Sequence, residues 1–291
     1  MVTGGAETEP VDVVEGTLRT ADGLDLFWRG WLPRSPRAVV VIVHGLAEHS
    51  GRYGHVGRHF AARGWAAYAL DARAHGRSPG PKVHVAGFED FLEDVRSTLA
   101  FARERHPDRP VFLLGHSQGG LVVLQYALRH PEGLPGIVVT SPFLGAHPSV
   151  RPSAAFRLAL AALLRLAPRL LLPSGVDPGR ISRDPEVVKA YVQDPLVSRR
   201  VSPAWYAALR RAQTEVRAGA AHLEVPCLIL ASPDETLVDP QAVRRFVAEA
   251  SAARVASSWW AGLRHELLNE PERERVLARI DEWLDARLRT P

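Results

Sequence analysis

The sequence predicts an α/β fold in which a mostly parallel sheet is wrapped by helices. Three observations lead there. Short runs rich in β-branched and aromatic residues alternate with longer stretches of helical periodicity. The run Val39 to Val43 is apolar at every position, as a strand buried on both faces must be. The composition is that of a globular chain, with 291 residues, 46% hydrophobic and 23% charged, which excludes disorder and fibrous repeats and allows a substantial core.

Taken in order, Val14 to Thr20 and Leu24 to Leu32, split by Ala21-Asp22-Gly23, read as an opening hairpin. The run from Val39 follows, then strand candidates at Trp65 to Leu70, Val111 to Leu114, Gly136 to Thr140, Cys227 to Ala231 and Val255 to Trp260. Helical stretches lie between them at Phe88 to Arg105, Gln118 to Arg129 and Gln241 to Ala250. A closing helix is expected from Pro271 to Leu288, with the proline in its first turn. From about Pro142 to Gln213 the alternation stops, and helical patterns punctuated by prolines replace it. So long a stretch reads as a helical insertion after the sixth strand, lying over the ends of the sheet.

Composition narrows the function. The single cysteine, Cys227, excludes an intramolecular disulfide framework and a multi-cysteine zinc site, and its apolar surroundings suit a buried thiol. The formal net charge of +4 comes almost wholly from arginine, since Lys82 and Lys189 are the only lysines. Scattered arginine without a basic block gives no ground for a nucleic-acid partner. Met1 to Glu15 lacks the basic start and apolar centre of a secretory signal, so the expected location is cytoplasmic. The most apolar stretch, Ala154 to Leu172, is interrupted by Arg157, Arg165, Pro168 and Arg169, and is not a bilayer span.

Gly115-His116-Ser117-Gln118-Gly119 carries the strongest chemical signal. It is a G-x-S-x-G pentapeptide that directly follows an apolar strand and directly opens a helical pattern. A serine turned sharply between strand and helix is crowded, and small residues two positions to either side leave its Oγ exposed. The helix N-terminus behind it favours developing negative charge. Ser117 is therefore the candidate nucleophile.

A serine hydroxyl needs a base, and with this turn the chain order is serine, acid, histidine. Of the twelve histidines only His222 and His265 follow the insertion. His265 falls between the last strand and the last helix, where a loop can reach back over the sheet, whereas His222 precedes a strand at the wrong end. His44, His49, His75 and His116 precede the serine or adjoin it and read as loop-packing residues. The acid should follow Cys227 to Ala231, where Asp234, Glu235 and Asp239 all stand, and residue chemistry does not choose among them.

The chain resembles the monoacylglycerol lipase and lysophospholipase branch of the α/β-hydrolases over nearly its whole length, from about Gly16 to Leu288. The matching stretches are His44-Gly45-Leu46-Ala47-Glu48-His49-Ser50-Gly51-Arg52-Tyr53, Asp71-Ala72-Arg73-Ala74-His75-Gly76-Arg77-Ser78 and Gly115 to Gly120. Ser182-Arg183-Asp184-Pro185, Asp194-Pro195-Leu196 and His265-Glu266-Leu267-Leu268-Asn269-Glu270 follow in the same order. The resemblance implies an eight-stranded α/β-hydrolase domain across residues 1–291, with a core at about 14–141 and 214–290 and a helical cap at about 142–213.

The family's acid motif, laid without a gap on Glu235-Thr236-Leu237-Val238-Asp239-Pro240, puts the acid on Glu235. Laid from the strand side it falls on Asp234 with one residue inserted, and Asp234 stands as the alternative. Asp239 reads as a helix cap. The resemblance places the oxyanion-hole amides on Leu46 and Gln118, and Ala47 and Ala74 stand where the family commonly has glycine. Glu48 and Arg52 fall in the loop that lines the glycerol end of the pocket in those lipases, and a salt-bridged loop explains them equally well.

The apolar excess around Leu160 and Leu164 reads either as packing under the insertion or as a lid that lines an acyl tunnel and touches lipid. The expected function is hydrolysis of monoacylglycerols or similar single-chain acyl esters through an acyl-enzyme, with lysophospholipids or general carboxylic esters as alternatives. Cofactor-free perhydrolysis and a non-catalytic binding role are the readings from other classes. The expected partner is a small-molecule acyl ester, with peripheral membrane contact through the cap left open and the oligomeric state unspecified. No metal or organic cofactor is implied.

Overall fold

The computed structural model describes residues 11–151 and 153–289. Residues 1–10, on which most of the expectation about a leader falls, lie outside the described residues. The chain opens with strands β1 (Asp12–Arg19), β2 (Asp25–Leu32) and β3 (Ala38–Val43), then helix α1 (Gly54–Ala61) and β4 (Trp65–Leu70). Helix α2 (Glu89–Arg105), β5 (Val111–His116), α3 (Gln118–Arg129) and β6 (Ile137–Thr140) follow. The insertion holds α4 (Ala154–Leu166), β7 (Leu172–Pro173), α5 (Pro185–Gln193), β8 (Arg200–Val201) and the start of α6 (Pro203–Ala218). Strand β9 (Cys227–Ala231), α7 (Pro240–Glu249), β10 (Val255–Trp259) and α8 (Arg273–Arg289) close the chain.

The eight-stranded sheet has the order β1-β2-β4-β3-β5-β6-β9-β10. Only the β1–β2 and β2–β4 pairs are antiparallel; from β4 through β10 all pairs are parallel. The period of two along the central strands splits the core. In β3, Val39, Val41 and Val43 face one helical layer while Val40 and Ile42 face the other. In β5, Val111 and Leu113 join the first layer, Phe112 and Leu114 the second. Helices α2, α3 and α6 supply the first side with Leu99, Leu121 and Leu209, and α1 and α8 the second with Phe60 and Ile280.

Parallel pairing puts the carboxyl ends of the central strands side by side. Val43 of β3 is opposite Gly115 of β5, Thr140 of β6 is opposite both His116 and Leu230, and Ala231 of β9 is opposite Trp259. Five loops from distant parts of the sequence therefore meet on one edge, where ligands bind in open α/β sheets.

Helix α1 has no counterpart in the sequence reading, and three further details differ from it. The insertion contains a two-strand antiparallel ribbon, Leu172–Pro173 with Arg200–Val201, too short to leave a periodic signal. Helix α8 starts at Arg273, with Pro271 in the turn before it. Helix α6, capped by Ser202 Oγ on Trp205 N with Pro203 in its first turn, runs without a break through position 213, where the cap was expected to end.

Candidate active site

Ser117 sits between β5 and α3 with φ of 52°, a left-handed conformation that strains a residue carrying a side chain. The turn closes only because its flanks are glycine. A Cβ on Gly115 would lie 2.4 Å from the Gly119 carbonyl oxygen, and one on Gly119 would lie 2.1 Å from that of Val43. Ser117 N donates to Thr140 O at 2.9 Å, which anchors the turn to β6. The Ser117 side chain makes no capping bond to α3, whose first-turn amides have no intrahelical partner.

His265 Nε2 lies 3.0 Å from Ser117 Oγ, and His265 Nδ1 lies 2.6 Å from Glu235 Oε2. The three residues come from the loops after β5, β9 and β10 and are all buried. The Glu235 side chain folds back onto its own loop. Its Oε1 accepts from Thr236 N at 2.7 Å and Leu237 N at 2.6 Å, leaving Oε2 for the histidine. Burial works against the Glu235 charge, but the adjacent imidazole and the amides of Leu237 and Val238 outweigh it and hold its pKa below the ordinary 4.5. Burial likewise opposes protonation of His265, and Glu235 outweighs it, so the imidazole pKa lies above 6.5.

Asp234 does not reach the imidazole: its Oδ2 accepts from Gly262 N at 2.7 Å and so steadies the loop carrying His265. Asp239 caps α7, accepting from Gln241 N. The histidine loop has further ties. Ser141 Oγ donates to the His265 carbonyl, and Ser232 Oγ to that of Leu263.

The loop after β3 approaches Ser117 so closely that a Cβ on Gly45 would stand 3.3 Å from the serine Cβ. Leu46 borders the active-site cavity, with Gln118 across the turn as the first residue of α3. His44 bridges this loop to the next: its Nδ1 pairs with Gly45 O at 2.7 Å, and its Nε2 accepts from Ala72 N at 3.0 Å. Burial pushes the pKa of His44 down, and that of His116 down to about 4. His116 is paired with Thr140 Oγ1.

Glu48 and Arg52 border the cavity and are also bound to protein. Glu48 Oε1 accepts from Gly45 N and Tyr53 Oη, and its Oε2 accepts from Arg52 at 2.6 Å. Arg52 extends both Nη groups to Glu266, each at 2.7 Å, and stacks on the Tyr191 ring. The residue beside His265 is thereby locked to the loop after β3. Sequence reasoning gave no role to Glu266, Tyr191 or Ser141. Their partners lie far along the chain, and only the folded sheet brings them together.

The insertion roofs the site. Trp205 Nε1 donates to Gln118 Oε1 at 2.7 Å, Ser198 N donates to Ala47 O, and His49 Nε2 pairs with Asp194. Beneath this roof lies a cavity of about 1080 Å³, including its mouth, with Ser117 and His265 on its floor. Phe143, Phe156, Leu160, Trp205 and Leu209 make its walls mostly apolar. Leu160 is buried, whereas Leu164 is 36% exposed and outside the lining, a correction to the expectation that both would border substrate. Leu158 at 75% and Leu166 at 84% are also exposed, so packing beneath the insertion accounts for only part of the apolar excess in α4. The helix is wrapped in apolar residues on both sides, and only one side has the protein to bury them. Among the described residues no helix is long and apolar enough to cross a membrane, and no group of three or more metal-binding side chains converges.

A family model described as serine aminopeptidase, S33, matches residues 34–272. The chain is 38% identical over 269 residues to a monoacylglycerol lipase of Mycolicibacterium smegmatis, covering 91% of this chain and 95% of that one. It is 34% identical over 249 residues to a phospholipase of Bacillus subtilis, covering 84% and 94%. Among solved structures it is similar to the monoacylglycerol lipase of Paleococcus ferrophilus, with a TM-score of 0.81 and 32% identity over 90% of this chain and 99% of that one.

Proposed function

The chain belongs to the serine aminopeptidase S33 family of α/β-hydrolases, and from that premise we propose that it hydrolyses monoacylglycerols through a Ser117–His265–Glu235 triad. The observation that carries this reading is the unbroken chain from Ser117 Oγ through His265 to Glu235, opening into an apolar cavity. Ser117 Oγ attacks the ester carbonyl while His265 Nε2 takes its proton, and Glu235 stabilises the imidazolium. The oxyanion would rest between the amides of Leu46 and Gln118, where losing one donor costs about 3 kcal/mol of transition-state stabilisation. His265 then protonates the departing glycerol oxygen, and water attacks the acyl-enzyme with the same base.

The acyl chain runs along the wall formed by Leu160, Trp205 and Leu209. Glycerol hydroxyls would meet Glu48 and Arg52, whose existing ion pair keeps both groups oriented. Together with Leu158, Leu166 and Leu170, the outer face of α4 offers enough exposed apolar surface to rest on a lipid layer. The non-catalytic alternative drew on the irregular acid register, and the hydrogen bond between His265 and Glu235 favours the catalytic reading instead. A panel of monoacylglycerols, lysophospholipids and p-nitrophenyl esters of graded chain length tests the reading. Monoacylglycerols should give the highest kcat/KM among natural esters, and turnover confined to acetate esters would refute it.

A further inference from the structure

A second cavity, of about 900 Å³, lies beside the first and shares Phe143, Ala146, Tyr206 and Leu209 with it. Its distinguishing feature is charge. Arg151, Arg157, Arg210, Arg217 and Arg245 line it against one carboxylate, Asp239. They come from four separate parts of the chain: the segment after β6, α4, α6 and α7. Arg210 and Arg217 are two helical turns apart on α6 and so share a face.

The single carboxylate is heavily engaged. Asp239 Oδ1 caps α7, accepting from Gln241 N, and Oδ2 accepts from Arg151 at 2.8 Å with Arg245 at 3.6 Å. Arg217 donates to the Leu144 carbonyl and Arg210 to the Gln213 side chain, both neutral acceptors. Four arginine sites elsewhere among the described residues carry the opposite balance. Arg52 lies between Glu48 and Glu266, Arg73 between Asp22 and Asp94, Arg129 between Glu89 and Glu215, and Arg183 between Glu270 and Glu272. In this cavity alone among those sites, guanidinium groups outnumber carboxylates five to one. Burial, followed by repulsion from Arg210 and Arg245, draws the pKa of Arg217 below its ordinary value, with Asp239 acting in the opposite sense.

We propose that this cavity binds a phosphate group, carried either as free phosphate or as a lipid headgroup. Guanidinium forks arriving from several directions suit a tetrahedral phosphate, whose acceptor oxygens point several ways, better than a planar monoanionic carboxylate. The concave, multi-segment arrangement differs from the extended basic stripe that tracks a nucleic-acid backbone. Arg157 sits next to the exposed Leu158 on α4, so a headgroup phosphate held here would lie beside the apolar surface of that helix.

The test uses the full chain and two double variants, R210Q/R245Q in the cavity and R58Q/R109Q at exposed positions outside its lining. Sodium phosphate is titrated against chloride at matched ionic strength and followed by thermal unfolding and calorimetry. Flotation with phosphatidylcholine vesicles, with and without phosphatidate, is the second arm. All variants are first shown to turn over a short soluble ester at the wild-type rate, which establishes that they fold.

Saturable stabilisation by inorganic phosphate, weakened about tenfold or more in R210Q/R245Q and unchanged in R58Q/R109Q, would identify free phosphate as a ligand. Binding to phosphatidate vesicles with the same variant pattern, but none to inorganic phosphate, would identify the headgroup as the source. Absence of saturable binding in both arms overturns the proposal. So does an equal loss in the two double variants, since net charge rather than the cavity would then explain the effect. If R210Q/R245Q fails to fold, R210Q alone replaces it, with a smaller loss expected on the same criteria.

Discussion

Glu235→Gln changes almost no volume but exchanges one carboxylate oxygen for an amide nitrogen. In the wild-type site one oxygen accepts from the backbone amides of Thr236, Leu237 and Val238 and the other accepts from His265 Nδ1. The glutamine carbonyl can serve only one of those sets. If it stays on the backbone amides, its NH₂ faces Nδ1–H, and the ring must adopt the tautomer that leaves Nε2 unable to accept the serine proton. The imidazolium formed during attack also loses its counter-charge. Both effects are lost together when an orienting carboxylate becomes an amide, which lowers kcat by about 10⁴, or about 5 kcal/mol. Asp234→Asn keeps an acceptor for Gly262 N and should retain activity within about twofold of wild type, since it touches only the loop. Steady-state hydrolysis of p-nitrophenyl butyrate gives both numbers, with near-UV circular dichroism showing that each variant is folded. An E235Q enzyme within tenfold of wild type, or a D234N enzyme as impaired as E235Q, would refute the reasoning.

The pH profile should carry the same signature. His265 is charged below its pKa and cannot then accept a proton, so kcat/KM falls as pH drops through that value. Because Glu235 raises it above 6.5, the midpoint of the acid limb should lie above 6.5 in wild type and move down in E235Q, where burial is opposed only by the charges of Glu266 and Glu48. Leu160→Ser should lower kcat/KM for long-chain esters by about 1–3 kcal/mol and leave acetate esters nearly unchanged, while Leu164→Ser stays close to wild type for every chain length in a p-nitrophenyl ester series. Gly119→Ala should cost more than about 3 kcal/mol in urea unfolding, because the new methyl meets the Val43 carbonyl and neither backbone can retreat. Gly262→Ala, at φ of 81° in open space, should cost only about 1–2 kcal/mol.

The parts of this molecule legible in its sequence are those governed by local rules. The apolar run of β3 declares its double burial. The glycines around Ser117 declare a turn that closes only without Cβ atoms, and the structure supplies the carbonyls they would strike. The choice between Glu235 and Asp234 was harder, because both are carboxylates one residue apart. What separates them is the curl of the Glu235 side chain onto Thr236 and Leu237, a conformation that no residue pattern encodes. Long-range pairs were invisible: Arg52 and Glu266 are 214 positions apart, and nothing in either neighbourhood names the other. The exposed leucines of α4 show the limit of composition, since an apolar helix reads the same whether protein, lipid or water covers its outer face. Ala47 and Ala74 are a milder case. Both stand at positive φ, so the alanines keep a glycine-type turn at some cost in strain.

The most direct test of the central claim is to titrate the enzyme with a fluorophosphonate and follow two quantities together. Intact mass and peptide mapping give the fraction of Ser117 modified, and glycerol release from a monoacylglycerol gives the remaining turnover. The account predicts that modification is confined to Ser117 and that turnover falls linearly with it, reaching zero when one group is attached per chain. Monoacylglycerol turnover that persists with Ser117 fully modified would contradict it.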